Sequence, residues 1–148
     1  MKRYHVAFIQ KEPLSRILSG IKTVEARLSR NRPPSWNVQT GDVILFKQTG
    51  GGIVAEATVA DVSRFDNLRP ADVKAIAELV SPLTGSSPSS PYWQMKTNSR
   101  YAVLIELSNV QPIQFPDEFT PKGVMSAWVS DFKHGQLATP TNLRQLRF

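Results

Sequence analysis

No cysteine occurs in the 148 residues. That excludes disulfides, thiolate metal sites and a cysteine nucleophile, and it fits a reducing compartment. Histidine is nearly as scarce. His5 and His134 are far apart, with no metal-ligand spacing around either, so a site needing three or four ligands is not expected. No cofactor is implied. No apolar run approaches a membrane span, and the basic start Met1-Lys2-Arg3-Tyr4-His5 passes directly into alternating residues without a signal-peptide core. A soluble, cytoplasmic protein without membrane contact is expected. Acidic residues are also the minority, 12 Asp and Glu against 18 Lys and Arg, for a formal charge of +6. Such a field attracts phosphates over about a Debye length, roughly 8–10 Å.

What is present is an ordinary globular composition, with 41% hydrophobic and 20% charged residues. The length suits one domain with decorations. Tyr4 to Ile9 reads as a strand. Lys11-Glu12-Pro13 opens a short helix whose Leu14, Ile17 and Leu18 form one stripe, with Gly20 as its stop. Thr23 to Leu28 reads as a second strand, with Val24, Ala26 and Leu28 on one face and Thr23, Glu25 and Arg27 on the other. A Pro-rich basic loop with Arg30, Arg32 and Trp36 follows.

Val43 to Lys47 and Ile53 to Val62 read as a hairpin with a glycine-rich tip. Pro70 to Val80 reads as a second helix, Ser81 to Pro91 as a mobile loop, and Tyr101 to Val110 as the last clear strand. Beyond Pro112 the pattern weakens, though Trp128, Val129 and Phe132 are apolar enough to pack back. The expected organisation is a domain over 1–110 and a C-terminal extension over 111–148 packing on it. Hairpins rather than helical crossovers predict an α+β fold built on a small, mostly antiparallel β-barrel or curled sheet, flanked by helices.

The run Gly20-Ile21-Lys22-Thr23-Val24-Glu25-Ala26-Arg27 stands out. A helix ends, a lysine guards the strand entrance, and two opposite charges project from one strand face. An Arg fork suits phosphate or a base edge. A carboxylate accepts from an exocyclic amine or takes a proton, and a lysine neutralises phosphate or a developing oxyanion. On spacing alone, a solvated strand face with an incidental ion pair reads first.

Gly20 to Arg27 resembles the G-x-K-x-x-E-x-R signature of ASCH domains, a branch of the PUA-like superfamily. The preceding helix, GDVILFK, the QTGGG tip, IVAEATVADV and RYAVLIEL follow in the order of bacterial stand-alone ASCH-type proteins. The resemblance covers roughly Tyr4 to Val110. It implies a five- or six-stranded β-barrel with the motif on the floor of a cleft, and RNA or a modified nucleotide as partner, with DNA left open. It also points to enzymatic relatives. One bacterial subgroup is an amidohydrolase on acetylated cytidine, using a Lys, a Thr three residues later and a Glu. Here Glu25 stands at the Thr position and Thr23 is adjacent to the lysine, so that nucleophile is missing. Another ASCH-like relative is a ribonuclease for single strands.

Further candidates lie outside the motif. Lys47 and Gln48, beside three glycines, are placed to meet a phosphate, or else they form a flexible hairpin tip. Tyr92, Trp93, Lys96 and Arg100 interleave aromatics with charge as single-strand binders do, although Trp93 is equally suited to anchoring the loop. Trp36 among Arg30 and Arg32 has the same ambiguity. Glu56 and Glu106 are candidates for an additional acid or base.

Three functions follow for test. The first is a nucleic-acid-binding module using Lys22, Thr23, Glu25, Arg27, Lys47, Gln48, Trp93, Lys96 and Arg100. The second is an enzyme on RNA or nucleosides, ribonuclease or amidohydrolase-like, with Lys22 and Glu25 as the acid–base pair. The third is a regulatory domain whose extension contacts a protein of unknown identity.

Overall fold

The computed structural model describes residues 3–115 and 127–130. Its elements are β1 (Tyr4–Ile9), α1 (Lys11–Leu18), β2 (Val24–Ser29), a 3-10 turn (Pro34–Asn37), β3 (Val43–Gln48), β4 (Ile53–Phe65), α2 (Pro70–Thr84), α3 (Pro91–Met95), β5 (Tyr101–Pro112) and β6 (Trp128–Val129). The six strands form one curled sheet in the order β2-β5-β4-β3-β1-β6.

This corrects the expected small, mostly antiparallel barrel, and of the two expected shapes the curled sheet is the one that forms. The sheet is mixed and open, a half-barrel. β1 pairs parallel with β3, with Tyr4 opposite Val43 and Ile9 opposite Gln48. Hairpin reasoning missed this because α1 and β2 intervene and β2 goes to the far edge, where it pairs with β5. β1 and β3 therefore meet through a crossover, the connection that a parallel pair requires.

The main core lies inside the curl. Leu14 and Ile17 of α1 pack there on Ile44, Phe46, Val103, Ile105 and Trp128. The apolar stripe of the short helix thus forms as expected, except that Leu18 is largely exposed. Another cluster joins β2 to the helices, where Ala26 and Leu28 meet Val73 and Ala77 of α2 and the buried Trp93 of α3.

α2 runs one turn beyond its expected end. Its start is fixed by Asp72, whose carboxylate accepts the Arg69 backbone N–H at 2.8 Å. It continues through Pro82 and stops at Gly85, which adopts a left-handed conformation with φ +71°. The supposed mobile loop is therefore partly helix. Thr84 is buried, and its hydroxyl donates to Ser81 O at 2.9 Å. The Ser, Pro and Gly content of 81–91, read as a loop signal, misplaced this boundary.

Of the residues after Pro112, Trp128 and Val129 pair with Ala7 and Val6 and add an edge strand to β1. The expectations for Phe132, His134 and the rest of the extension lie outside the described residues. No helix among the described residues is long and apolar enough to cross a membrane.

Candidate nucleic-acid site

The motif folds as a tight passage from α1 into an edge strand. Gly20 takes φ +83°, which reverses the chain. The Lys22 N–H then returns to Arg16 O at 2.9 Å, and the Thr23 N–H donates to Leu83 O at 2.8 Å. Thr23 itself is exposed and outside the cleft. Its backbone ties α2 to the sheet through Leu83 O and the Leu107 N–H.

Among the described residues β2 has one edge without a strand partner, and a cleft of about 280 Å³ opens along it. Lys22, Glu25, Arg27, Trp93 and Lys96 all border this space, together with Phe8, Arg16 and Tyr92. The Tyr92 hydroxyl donates to Ala26 O at 2.7 Å, satisfying a carbonyl on the edge that has no strand partner among the described residues. The Tyr92 residue is nonetheless 37% exposed, so its ring forms an accessible wall. Tyr92 packs edge-on against Trp93, 5.2 Å between centroids, and the Lys96 ammonium stands 5.6 Å from the Tyr92 ring.

Glu25 is the electrostatic centre of the floor. It is buried, accepts from Lys22 Nζ at 3.2 Å through Oε1, and has the Arg27 guanidinium 3.6 Å from Oε2. Burial alone would raise its pKa, but the charges of Lys22 and Arg27 outweigh burial and lower it. The carboxylate is therefore held ionised at neutral pH.

Burial and the neighbouring Glu25 charge raise the pKa of the Tyr92 phenol, which stays protonated. Burial, reinforced by Arg27, lowers the pKa of Lys96. Among the described residues four cations line the cleft (Arg16, Lys22, Arg27 and Lys96), against Glu25 as the carboxylate. Glu25 Oε2, Arg27 Nε and Arg16 Nε are buried without a hydrogen-bond partner among the described residues. Such atoms are costly to leave unpaired, by about 1–3 kcal/mol each, and a polar ligand would relieve the cost.

Arg27 has a second task. Its guanidinium reaches across the open side of the half-barrel to donate to Phe8 O at 3.3 Å and Ala127 O at 3.4 Å. It also lies 5.4 Å from the Trp128 ring centroid. One side chain thus joins the β2 edge to the β1–β6 edge.

The other candidates are elsewhere. Lys47 stands 5.2 Å from the Phe8 ring, behind the cleft wall, and Gln48 accepts the Gly51 N–H in the hairpin tip; neither lines the cleft. Arg100 donates to Asn67 Oδ1 at 2.9 Å and borders different grooves. Glu56 and Glu106 do not border the cleft either. His5 is fully buried, 2.8 Å from Asp42, and no cluster of three metal-ligating side chains occurs among the described residues. Arg16 was missed from sequence, because its i,i+4 pairing with Glu12 is the signature of a solvated helix face. Thr84 and Ser86 were missed because the helix extension that brings them to the rim was not foreseen.

The family model of the ASCH domain matches residues 8–115. The chain belongs to the ASCH domain family. The crystal structure of the ASCH protein from Zymomonas mobilis is similar to this ASCH chain with a TM-score of 0.72 at 17% identity, covering 99% of this chain and 96% of that one. A single-residue variant of the same Zymomonas mobilis protein gives a TM-score of 0.63 at 16% identity, over 98% and 94% of the two chains. At these identities the likeness establishes the ASCH fold. A search of curated proteins found no match. ASCH domains are commonly linked to RNA binding.

Proposed function

We propose that this ASCH domain binds single-stranded RNA by taking one nucleotide into the cleft along β2. The observation that carries this reading is a cationic cleft whose floor holds a buried, ionised carboxylate, one oxygen of which has a 3.6 Å ion pair to Arg27 and no hydrogen bond among the described residues. Lys22 and Arg27 fix Glu25, and Oε2 is available to accept from an exocyclic base amine. Lys96 and Arg16 supply charge for a phosphate, and the exposed Tyr92 ring offers a face for stacking. Trp93 supports that wall from the core, as its burial indicates.

The alternative role of Lys22 and Glu25 as an acid–base pair is less well supported. A carboxylate whose pKa is lowered is a weak proton acceptor near neutral pH, where an effective general base has a pKa near that range. A binding role uses the same ionised state without penalty.

Fluorescence anisotropy with a labelled mixed-sequence RNA octamer tests the reading. Affinity should fall as salt rises, with a log–log slope of about −0.7 for each phosphate neutralised. Lys96→Gln should weaken binding several-fold while the protein stays folded. Affinity that is flat with salt and indifferent to Lys96→Gln would sink the proposal.

A further inference from the structure

Beyond the cleft, β2 leads directly into a second basic surface. The Arg100 N–H donates to Ser29 O at 3.0 Å, and the Leu68 N–H to Arg100 O at 3.0 Å, so the end of β2, the start of β5 and the approach to α2 are tied together. Arg30 and Arg100 both border two adjoining grooves of about 290 and 330 Å³, and Arg69 borders the first. The opposing carboxylates are Asp66, in the second groove, and Asp72, which pairs with Arg69 at 3.4 Å. Arg30 and Arg100 are exposed and have no carboxylate ion pair among the described residues.

Aromatic surface adjoins this charge. Tyr101, opposite Ser29 in the sheet, borders the second groove and stacks edge-on with Trp36 at 5.6 Å between centroids. The Arg32 guanidinium stands 5.5 Å from the Trp36 ring. Both rings are half-buried. Arginine beside partly accessible aromatic rings suits a sugar–phosphate backbone with stacked bases, and it gives little reading of sequence.

The position matters as much as the composition. Arg30 follows Arg27 by three residues, at most about 10 Å along the chain, so both lie within reach of a single strand of several nucleotides. We propose that the Arg30–Arg100 groove is a second binding site that holds the phosphodiester backbone of single-stranded RNA leaving the cleft. This rests on the cleft reading above. It assigns Arg100 to backbone contact outside the nucleotide pocket, and it makes the ligand a strand of several nucleotides.

The test compares a mixed-sequence RNA dinucleotide with a mixed-sequence octamer on three proteins: wild type, Arg30→Gln/Arg100→Gln and Lys96→Gln, each first checked for an unchanged melting transition. The groove variant should bind the octamer about tenfold or more weakly and lose about 1.4 from its salt slope, two contacts at ~0.7 each, with dinucleotide affinity unchanged. Lys96→Gln should weaken both ligands. If the groove variant binds the octamer like wild type while Lys96→Gln weakens both, the second site is wrong and the cleft reading stands. If Lys96→Gln affects neither ligand, the cleft reading fails and the proposed strand path fails with it. Equal losses for dinucleotide and octamer in the groove variant would indicate a general charge effect and also overturn the second site.

Discussion

Removing Arg27 should do more damage to the fold than its partial exposure suggests. Its side chain is 18% exposed, yet it connects the two edges of an open sheet and supplies one of the two cations beside Glu25. Arg27→Ala loses two charge-assisted hydrogen bonds, to Phe8 O and Ala127 O, both long at 3.3 and 3.4 Å and so at the weak end of their range. Those bonds, the stacking on Trp128 and half of the charge compensation at Glu25 sum to about 2–4 kcal/mol. For a chain of this length that corresponds to a fall in Tm of roughly 5–15 °C.

Arg27→Lys should restore less than half, because one ammonium cannot serve two carbonyls, a carboxylate and a ring together. Thermal and urea melts give the energy. Hydrogen exchange at Phe8 gives the location, since its N–H donates to Ala127 O at 2.9 Å across the joint that Arg27 braces. A loss below ~0.5 kcal/mol with unchanged Phe8 protection would refute the reasoning, because neither edge would then depend on Arg27.

Two further outcomes follow from the same geometry. The folded pKa of Glu25 lies below the ordinary value of 4.5, so its stabilising contribution is complete above that value and is lost as pH falls through the folded pKa. The stability gap between wild type and Glu25→Gln in urea melts should be constant near neutrality and narrow below pH 4.5, and a gap unchanged to pH 3 would contradict it. Gly85→Ala should cost about 1–2 kcal/mol, since φ is +71° and the new Cβ would lie 2.8 Å from Arg16 Cδ and 2.9 Å from Ile21 Cγ2; a neutral effect on the melt would argue against this helix end.

Sequence reading reached local structure more readily than pairing. Leu14 and Ile17 announced α1, and the alternation of Val24, Ala26 and Leu28 announced β2, because side-chain period reports which face is buried. The parallel partnership of β1 with β3 had no local signal. It depends on β2 travelling to the far edge, and that is decided by tertiary packing. The Ser, Pro and Gly of 81–91 read as a loop, although α2 continues through Pro82 and stops at Gly85.

The motif identified the region of the cleft, and Lys22, Glu25 and Arg27 meet there as their types suggest. Their division of labour was not legible. The Arg27 carbonyl contacts come from Phe8, 19 residues away, and Ala127, 100 residues away, and the Arg16 approach depends on the turn at Gly20. Thr23 shares a strand face with Glu25 on paper, but its backbone hydrogen bonds to α2 and β5 leave the side chain outside the cleft.

The central claim is that the cleft along β2 receives a nucleotide of single-stranded RNA. Amide chemical shifts of the isotope-labelled protein, followed as a mixed-sequence RNA octamer is added, test it most directly. The predicted result is saturable movement of the amides of residues 22–28 and 92–96. Shifts absent from both segments at saturating RNA, or confined to the exposed face of α2 around Leu79, would contradict it.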